Sequence, residues 1–173
     1  SDYYPRLSSI NKDTALMNRM VNEQAEVQLL IQTPLLIAYL FALKLLVPLF
    51  YDYELMEAIP MTQFALFGMF VRTMTYPMSY MPLARGDSKI FILQEAAYDI
   101  INVLFVIAGY KFFGLLGVGA AIAIVYFIEW IIVCIVAYFK YQFTLSKELA
   151  KCFILQLPIF LSVLYVPQTT EGG

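Results

Sequence analysis

Five long apolar stretches constrain the fold of this chain more than any other feature. A helix needs about 20 mainly apolar residues to cross the hydrocarbon core of a bilayer, within a range of about 17 to 25. Four stretches clear this length comfortably, and the last reaches its lower end. None shows the strict alternation of a membrane β-strand. The pattern predicts an all-α, polytopic transmembrane bundle with about five spans, at residues 27–50, 58–83, 90–110, 115–139 and 149–166.

The composition agrees with a membrane environment. The chain is 61% hydrophobic and only 14% charged, whereas a soluble domain has about 25% charged residues. Histidine is absent, which removes the commonest general base and transition-metal ligand. Cys134 and Cys152 lie in or beside apolar stretches, without the spacing of a metal site or a disulfide framework. We therefore expect no catalytic residue, cofactor or metal, and no nucleic-acid partner.

The basic residues outside the apolar stretches predict the orientation of the spans. Eight of them fall in the segments before the first span, after the second and after the fourth, whereas Lys111 alone falls on the other side. Cytoplasmic loops of membrane proteins carry the excess of lysine and arginine. The three base-bearing segments are therefore expected in the cytosol, at residues 6–26, 84–89 and 140–151.

Residues 10–26 are polar on one face and apolar on the other. Leu16, Met17, Met20 and Val21 recur at helical spacing. This pattern predicts a short amphipathic helix in the cytoplasmic interface ahead of the first span. An ordinary helix in a solvated loop is the alternative.

Three ionisable residues on three successive spans fall at a similar depth. Counted from the cytoplasmic ends at about 1.5 Å per residue, Arg72 lies roughly 16 Å deep, Asp99 roughly 13 Å and Glu129 roughly 15 Å. Charged groups are costly at this depth and usually serve a function. They are the candidate substrate path, together with Tyr76 and Tyr98, which lie near the same level and could stack on sugar rings.

Two interpretations of these charges are open. In the first, Arg72 pairs with Asp99 or Glu129 and only locks helices together. In the second, the three residues line a water-filled cavity, and Arg72 meets an anionic group of a substrate. A guanidinium suits that role because it stays charged and binds phosphate oxygens in a bidentate geometry.

Several segments together carry a family resemblance. Residues 2–8 (DYYPRLS), 21–26 (VNEQAE, leading into a span with Pro34), 83–89 (LARGDSK) and 114–121 (GLLGVGAA) resemble the C-terminal half of Wzx-type O-antigen and polysaccharide flippases. These transporters belong to the superfamily that includes MATE drug exporters and lipid II flippases. The resemblance covers nearly all of residues 2–140, in order.

The resemblance implies a multi-pass transporter of the bacterial inner membrane, with 12 to 14 spans in two lobes. Such a protein moves an undecaprenyl-diphosphate-linked oligosaccharide by alternating access. The chain would be a second-lobe fragment, and its partners would be membrane lipids, the lipid-linked oligosaccharide and a missing N-terminal lobe of the same chain. The opening at Ser1 also reads as the end of a longer sequence.

Two other functions remain open. In a cation-coupled multidrug exporter, Asp99 and Glu129 would bind Na⁺ or H⁺ as the coupling ion and attract a cationic drug. In a membrane enzyme of polysaccharide assembly, the chain would need catalytic groups. The absence of histidine and of clustered metal ligands argues against the enzyme.

Overall fold

The computed structural model describes residues 2–50 and 58–164, and all regular secondary structure in these ranges is helical. The prediction of an all-α fold is therefore confirmed. The helices are α1 (Tyr3–Ser9), α2 (Thr14–Phe50), α3 (Ala58–Ser79), α4 (Met81–Ala84), α5 (Ser88–Tyr141) and α6 (Lys147–Leu164). The expected end of the fifth span, at residues 165 and 166, lies outside the described residues.

The long helix α5 is a hairpin of two antiparallel arms. Gly114 has φ 64° and ψ −142°, a conformation that residues with a side chain rarely adopt, and it reverses the chain. Tyr98 then stacks on Tyr126, and the ends of the hairpin meet where the Tyr141 hydroxyl donates to Asp87 at 2.7 Å. We call residues 88–113 the outer arm and residues 115–141 the inner arm.

Glycines allow the closest contacts of the bundle. A Cβ added to Gly117 would overlap the backbone of Gly109 on the other arm, and one added to Gly119 would overlap the backbone of Met61 in α3. Gly117 and Ala121, two small residues spaced four apart, thus lie at a close helix contact. Gly109 completes that contact and was not singled out from the sequence.

The region expected to be a separate surface helix is continuous with the next helix. Helix α2 runs without a break from Thr14 to Phe50, so residues 10–26 do not form an element of their own. Met17, Val21 and Ala25 are fully buried, because they pack on other helices of the bundle. The apolar face that predicted contact with a membrane surface is therefore an internal packing face.

Polar side chains of α2 hold the segment that joins α5 to α6. Asn18 accepts from the Thr144 backbone N–H at 3.1 Å. Asn22 donates to the Thr144 carbonyl at 3.0 Å and accepts from the Ser146 N–H at 2.9 Å. Arg85 donates to the Thr14 hydroxyl at 2.9 Å. The three base-bearing segments consequently lie at one end of the bundle, which we call the basic end.

Two described helices, α2 and α5, are long and apolar enough to cross a membrane, with mean hydropathies of 2.0 and 2.6 in their most apolar windows. Only 22% and 28% of the residues in those windows are buried, whereas the core helix of a soluble protein is mostly buried. Large apolar side chains such as Leu45, Leu93 and Phe112 are more than two-thirds exposed. An apolar surface of this kind supports a membrane protein.

Candidate functional site

Arg72 lies between helix α3 and both arms of α5, and its partners are phenols. Its Nη1 donates to the Tyr98 hydroxyl at 3.4 Å and to the Tyr126 hydroxyl at 3.2 Å. The guanidinium carbon is 5.3 Å and 5.0 Å from the two ring centroids. Both distances are within the range of cation–π attraction. Arg72 therefore has two neutral hydrogen-bond partners that orient it, and it has no carboxylate within ion-pair distance among the described residues.

A glycine one turn before Arg72 allows this arrangement. A Cβ added to Gly68 would come within 2.7 Å of the Tyr126 ring and 2.9 Å of the Ala123 Cα. The missing side chain at Gly68 lets the inner arm approach α3 closely enough for the Tyr126 hydroxyl to reach Arg72. Tyr98 completes the pair from the outer arm, and its ring stacks on that of Tyr126 with centroids 6.1 Å apart.

Arg72 keeps donors free for a ligand. Within residues 2–50 and 58–164, neither Asp99 nor Glu129 comes within the 4 Å of an ion pair with it. Its Nε and Nη2 have no hydrogen-bond acceptor among the residues that the structure describes, and neither nitrogen is buried. The described residues therefore do not form the simple ion-pair lock that was the first interpretation of these charges.

The guanidinium opens onto a cavity of about 450 Å³ between α2, α3 and the inner arm. Gln28 and Gln32 of α2 supply amide groups to its wall, and Thr73 adds a hydroxyl. Tyr76 lines the same cavity, and Tyr126 lies beside Arg72. The cavity has donors, acceptors and one positive charge, so its chemistry suits an anionic ligand that also carries hydroxyl groups.

Glu129 lies at a second, smaller cavity of about 30 Å³. Its side chain is nearly inaccessible, with the residue 8% exposed, and its Oε2 is buried without a hydrogen-bond partner. The Oε1 of Gln94, also buried and unpartnered, belongs to the same cavity. A space of this volume accommodates about one water molecule. Two acceptor oxygens around such a space can receive a proton or a small cation.

The predicted site residues therefore separate into three groups. Arg72, Tyr98 and Tyr76 surround or adjoin the larger cavity, and Glu129 faces the smaller one, which Tyr98 also lines. Asp99 lies on the exposed surface of the outer arm and lines neither cavity. The three charges, predicted at a similar depth, therefore do not line one common cavity, because depth does not fix the direction in which a side chain points.

Tyr126 is the residue of this site that the sequence analysis did not identify. It lies three residues before Glu129, which places both side chains on one face of the inner arm. It also lies at nearly the same depth as Arg72. These two signals could have identified it.

No group of three or more Cys, Asp or Glu residues that could hold a metal ion occurs in the described part of the chain. No protein-family model, curated protein or solved structure matches the chain.

Proposed function

We propose that this chain is part of a transporter of the bacterial inner membrane that flips undecaprenyl-diphosphate-linked oligosaccharides by alternating access. Five long helical segments would be the spans of one lobe, namely α2, α3, the two arms of α5 and α6. They would face a further lobe of the same protein across the substrate cavity. The basic end would lie in the cytosol, in agreement with the excess of lysine and arginine there. The proposal assigns ligand binding and movement to the chain, and no covalent chemistry.

The observation that carries the proposal is the free guanidinium of Arg72. A charged side chain at the centre of a span costs about 2.5 to 3.5 kcal/mol in membrane insertion, and an ion pair would reduce that cost. Arg72 instead has two phenol partners, and Nε and Nη2 lack an acceptor among the described residues. A diphosphate supplies several anionic oxygens that the planar guanidinium can bind in a bidentate geometry.

The lengths of the helices also support several spans. At about 1.5 Å per residue, each arm of α5 is roughly 40 Å long, α3 roughly 33 Å and α6 roughly 27 Å. These lengths are close to or above the hydrocarbon thickness of about 30 Å. Their alternating directions and the common position of the base-bearing segments support a multi-pass arrangement.

A cation-coupled exporter is the second candidate, and the small cavity at Glu129 favours it. The unpartnered oxygens of Glu129 and Gln94 could receive the coupling ion, H⁺ or Na⁺. The same cavity chemistry is compatible with a flippase driven by a cation gradient. Arg72 distinguishes the two functions, because its positive charge in the larger cavity would repel a cationic drug and attract a diphosphate.

The test is complementation with full-length protein in a strain that lacks its own polysaccharide flippase. We expect Arg72→Ala to reduce surface polysaccharide at least tenfold, and Arg72→Lys to restore part of it because a lysine supplies charge without the bidentate fork. Arg19→Ala is the matched control, since the Arg19 side chain is 74% exposed and, among the described residues, pairs only with Glu23. Immunoblots of membrane fractions would show equal amounts of each variant.

Normal export by Arg72→Ala would contradict the proposal. A wild-type protein that fails to restore polysaccharide but confers resistance to cationic drugs would establish the exporter in its place.

A further inference from the structure

Two residues of α3 and one residue that directly follows its end form a continuous row. Arg72, Tyr76 and Tyr80 are spaced four residues apart, so each lies about 6 Å further along the axis than the last. The row begins at the cavity and runs towards the basic end. We call it the α3 row.

The two tyrosines of the α3 row are in contact with each other. Their hydroxyl oxygens are 3.1 Å apart, and their rings meet edge to face with centroids separated by 5.0 Å. Tyr76 lines the Arg72 cavity and is 44% exposed. A ligand that enters the cavity therefore meets the Tyr76 ring next to the guanidinium.

Tyr80 is held in place by three rings from two other segments. Tyr3 and Tyr4 of α1 lie 6.4 Å and 6.2 Å from it, and Phe91 of the outer arm stacks on it at 6.0 Å. The Tyr3 hydroxyl also donates to the Pro77 carbonyl at 2.8 Å, which ties α1 to the end of α3. The aromatic surface next to the cavity is consequently fixed before any ligand arrives.

Two other exposed tyrosines differ from this group. Tyr39 and Tyr110 are more than half exposed, but they do not line the Arg72 cavity and have no ring contact with another described aromatic residue. Such residues fit the aromatic belts found where helices meet the membrane interface. An interfacial belt of separate tyrosines does not explain a row of rings that contact each other and that begins at the partly buried Arg72.

We infer that the α3 row binds the first sugars of the substrate, with Tyr76 and Tyr80 as the saccharide platform and Arg72 as the diphosphate anchor. A tyrosine suits this role because its ring packs against the C–H face of a sugar while its hydroxyl bonds to the sugar hydroxyls. The glycan would point from Arg72 towards the basic end. This inference rests on the proposed function, since it assigns a part of the same substrate to each end of the row.

The test compares two lipids that differ only by a sugar. Full-length protein in nanodiscs would be titrated with undecaprenyl diphosphate and with undecaprenyl-diphosphate-linked N-acetylglucosamine. We expect wild type to bind the sugar-bearing lipid about tenfold more tightly, an advantage of the size that one well-placed aromatic contact provides. Tyr76→Leu should reduce that ratio to about one, because the substitution removes the ring that contacts the sugar.

Three further variants make the result specific. Arg72→Ala should weaken the binding of both lipids equally, and Tyr76→Phe should keep most of the ratio because the ring remains. Tyr110→Leu, an exposed tyrosine in the same bundle, should leave both affinities unchanged. Because Tyr76 is exposed, its replacement is not expected to unfold the protein.

Equal affinity of wild type for the two lipids, or a ratio that Tyr76→Leu does not change, would overturn the platform while leaving the proposed function intact. Failure of wild type to bind either lipid would overturn the proposed function itself.

Discussion

The two arms of α5 have a similar apolar composition and opposite roles in the bundle. The inner arm has a buried residue in nearly every turn. These buried residues are Gly117, Gly119, Ala121, Val125, Glu129, Val133, Ala137 and Tyr141. In the outer arm, all of which the structure describes, no residue reaches that degree of burial. The inner arm packs on α3, while the outer arm contacts the bundle along one face only. Hydropathy therefore does not distinguish a central helix from a peripheral one.

The spacing of the buried residues explains the difference. From Gly117 to Tyr141 a buried residue recurs every four positions, which forms one ridge along the inner arm. The residues of this ridge are small near Gly114 and larger towards the basic end. Both arms still reach the candidate site, because Tyr126 comes from the inner arm and Tyr98 from the outer one.

Separating the inner arm from α3 should destabilise the bundle more than any other change considered for the two arms. In Gly119→Val, the new side chain would overlap the backbone of Met61, and backbone atoms cannot give way as a flexible side chain can. We expect a loss of about 3 kcal/mol or more in the free energy of unfolding. The measurement is thermal stability by size-exclusion chromatography in detergent.

Ala96→Val on the outer arm is the matched control, since Ala96 is exposed and should accept two more methyl groups with little change. Equal stability of both variants would show that the inner arm does not pack closely on α3.

The same substitution, valine to alanine, can be made on both arms and should have a smaller effect on the unfolding free energy. Val125 of the inner arm is 1% exposed and Val103 of the outer arm is 57% exposed. Val125→Ala should lower the unfolding free energy by roughly 1 to 2 kcal/mol, because the neighbouring side chains cannot fully fill the space. Val103→Ala should change it by less than about 0.5 kcal/mol. Chemical denaturation of both variants in the same detergent would measure the difference, and equal losses would refute the assignment of inner and outer arms.

The smallest expected effect concerns the place where the two arms meet at the basic end. Tyr141→Phe removes the hydrogen bond to Asp87 and should cost about 1 kcal/mol. Lys140→Ala removes an ion pair of 3.9 Å between half-exposed groups and should cost less than about 0.5 kcal/mol.

Burial and the bond to Asp87 raise the pKa of Tyr141 above the usual tyrosine range. A group with a raised pKa contributes its full stability below its unfolded pKa of about 10. The effect of Tyr141→Phe should therefore be the same at pH 6 and pH 8. Thermal melts at both pH values would measure it, and a clear difference between them would contradict the hydrogen bond.

The candidate site was predictable in part. Arg72 and Glu129 could be identified because a charged residue inside an apolar stretch can be recognised in the sequence. Their expected depth follows from counting residues. Asp99 has the same sequence signal but lies on the exposed face of the outer arm. Neither the Tyr126 partnership nor the role of Gly68 could be predicted, because both depend on how closely two helices approach.

The all-α fold and the reversal between the two arms of α5 were predictable from the amino-acid sequence, whereas the start of α2 at Thr14 and the end of α3 at Ser79 were not. Apolar length and glycine positions are local properties, so the start of α3 at Ala58, the reversal at Gly114 and the all-α fold follow from them directly. The sequence also predicted five spans and a cytosolic basic end, and both remain predictions. Tertiary packing determines three further features: residues 14–26 are the first part of α2, the inner arm is central, and Arg72 is oriented by two phenols. Helices that are apolar on all sides do not specify in sequence which face meets which neighbour, and close packing of particular side chains decides it.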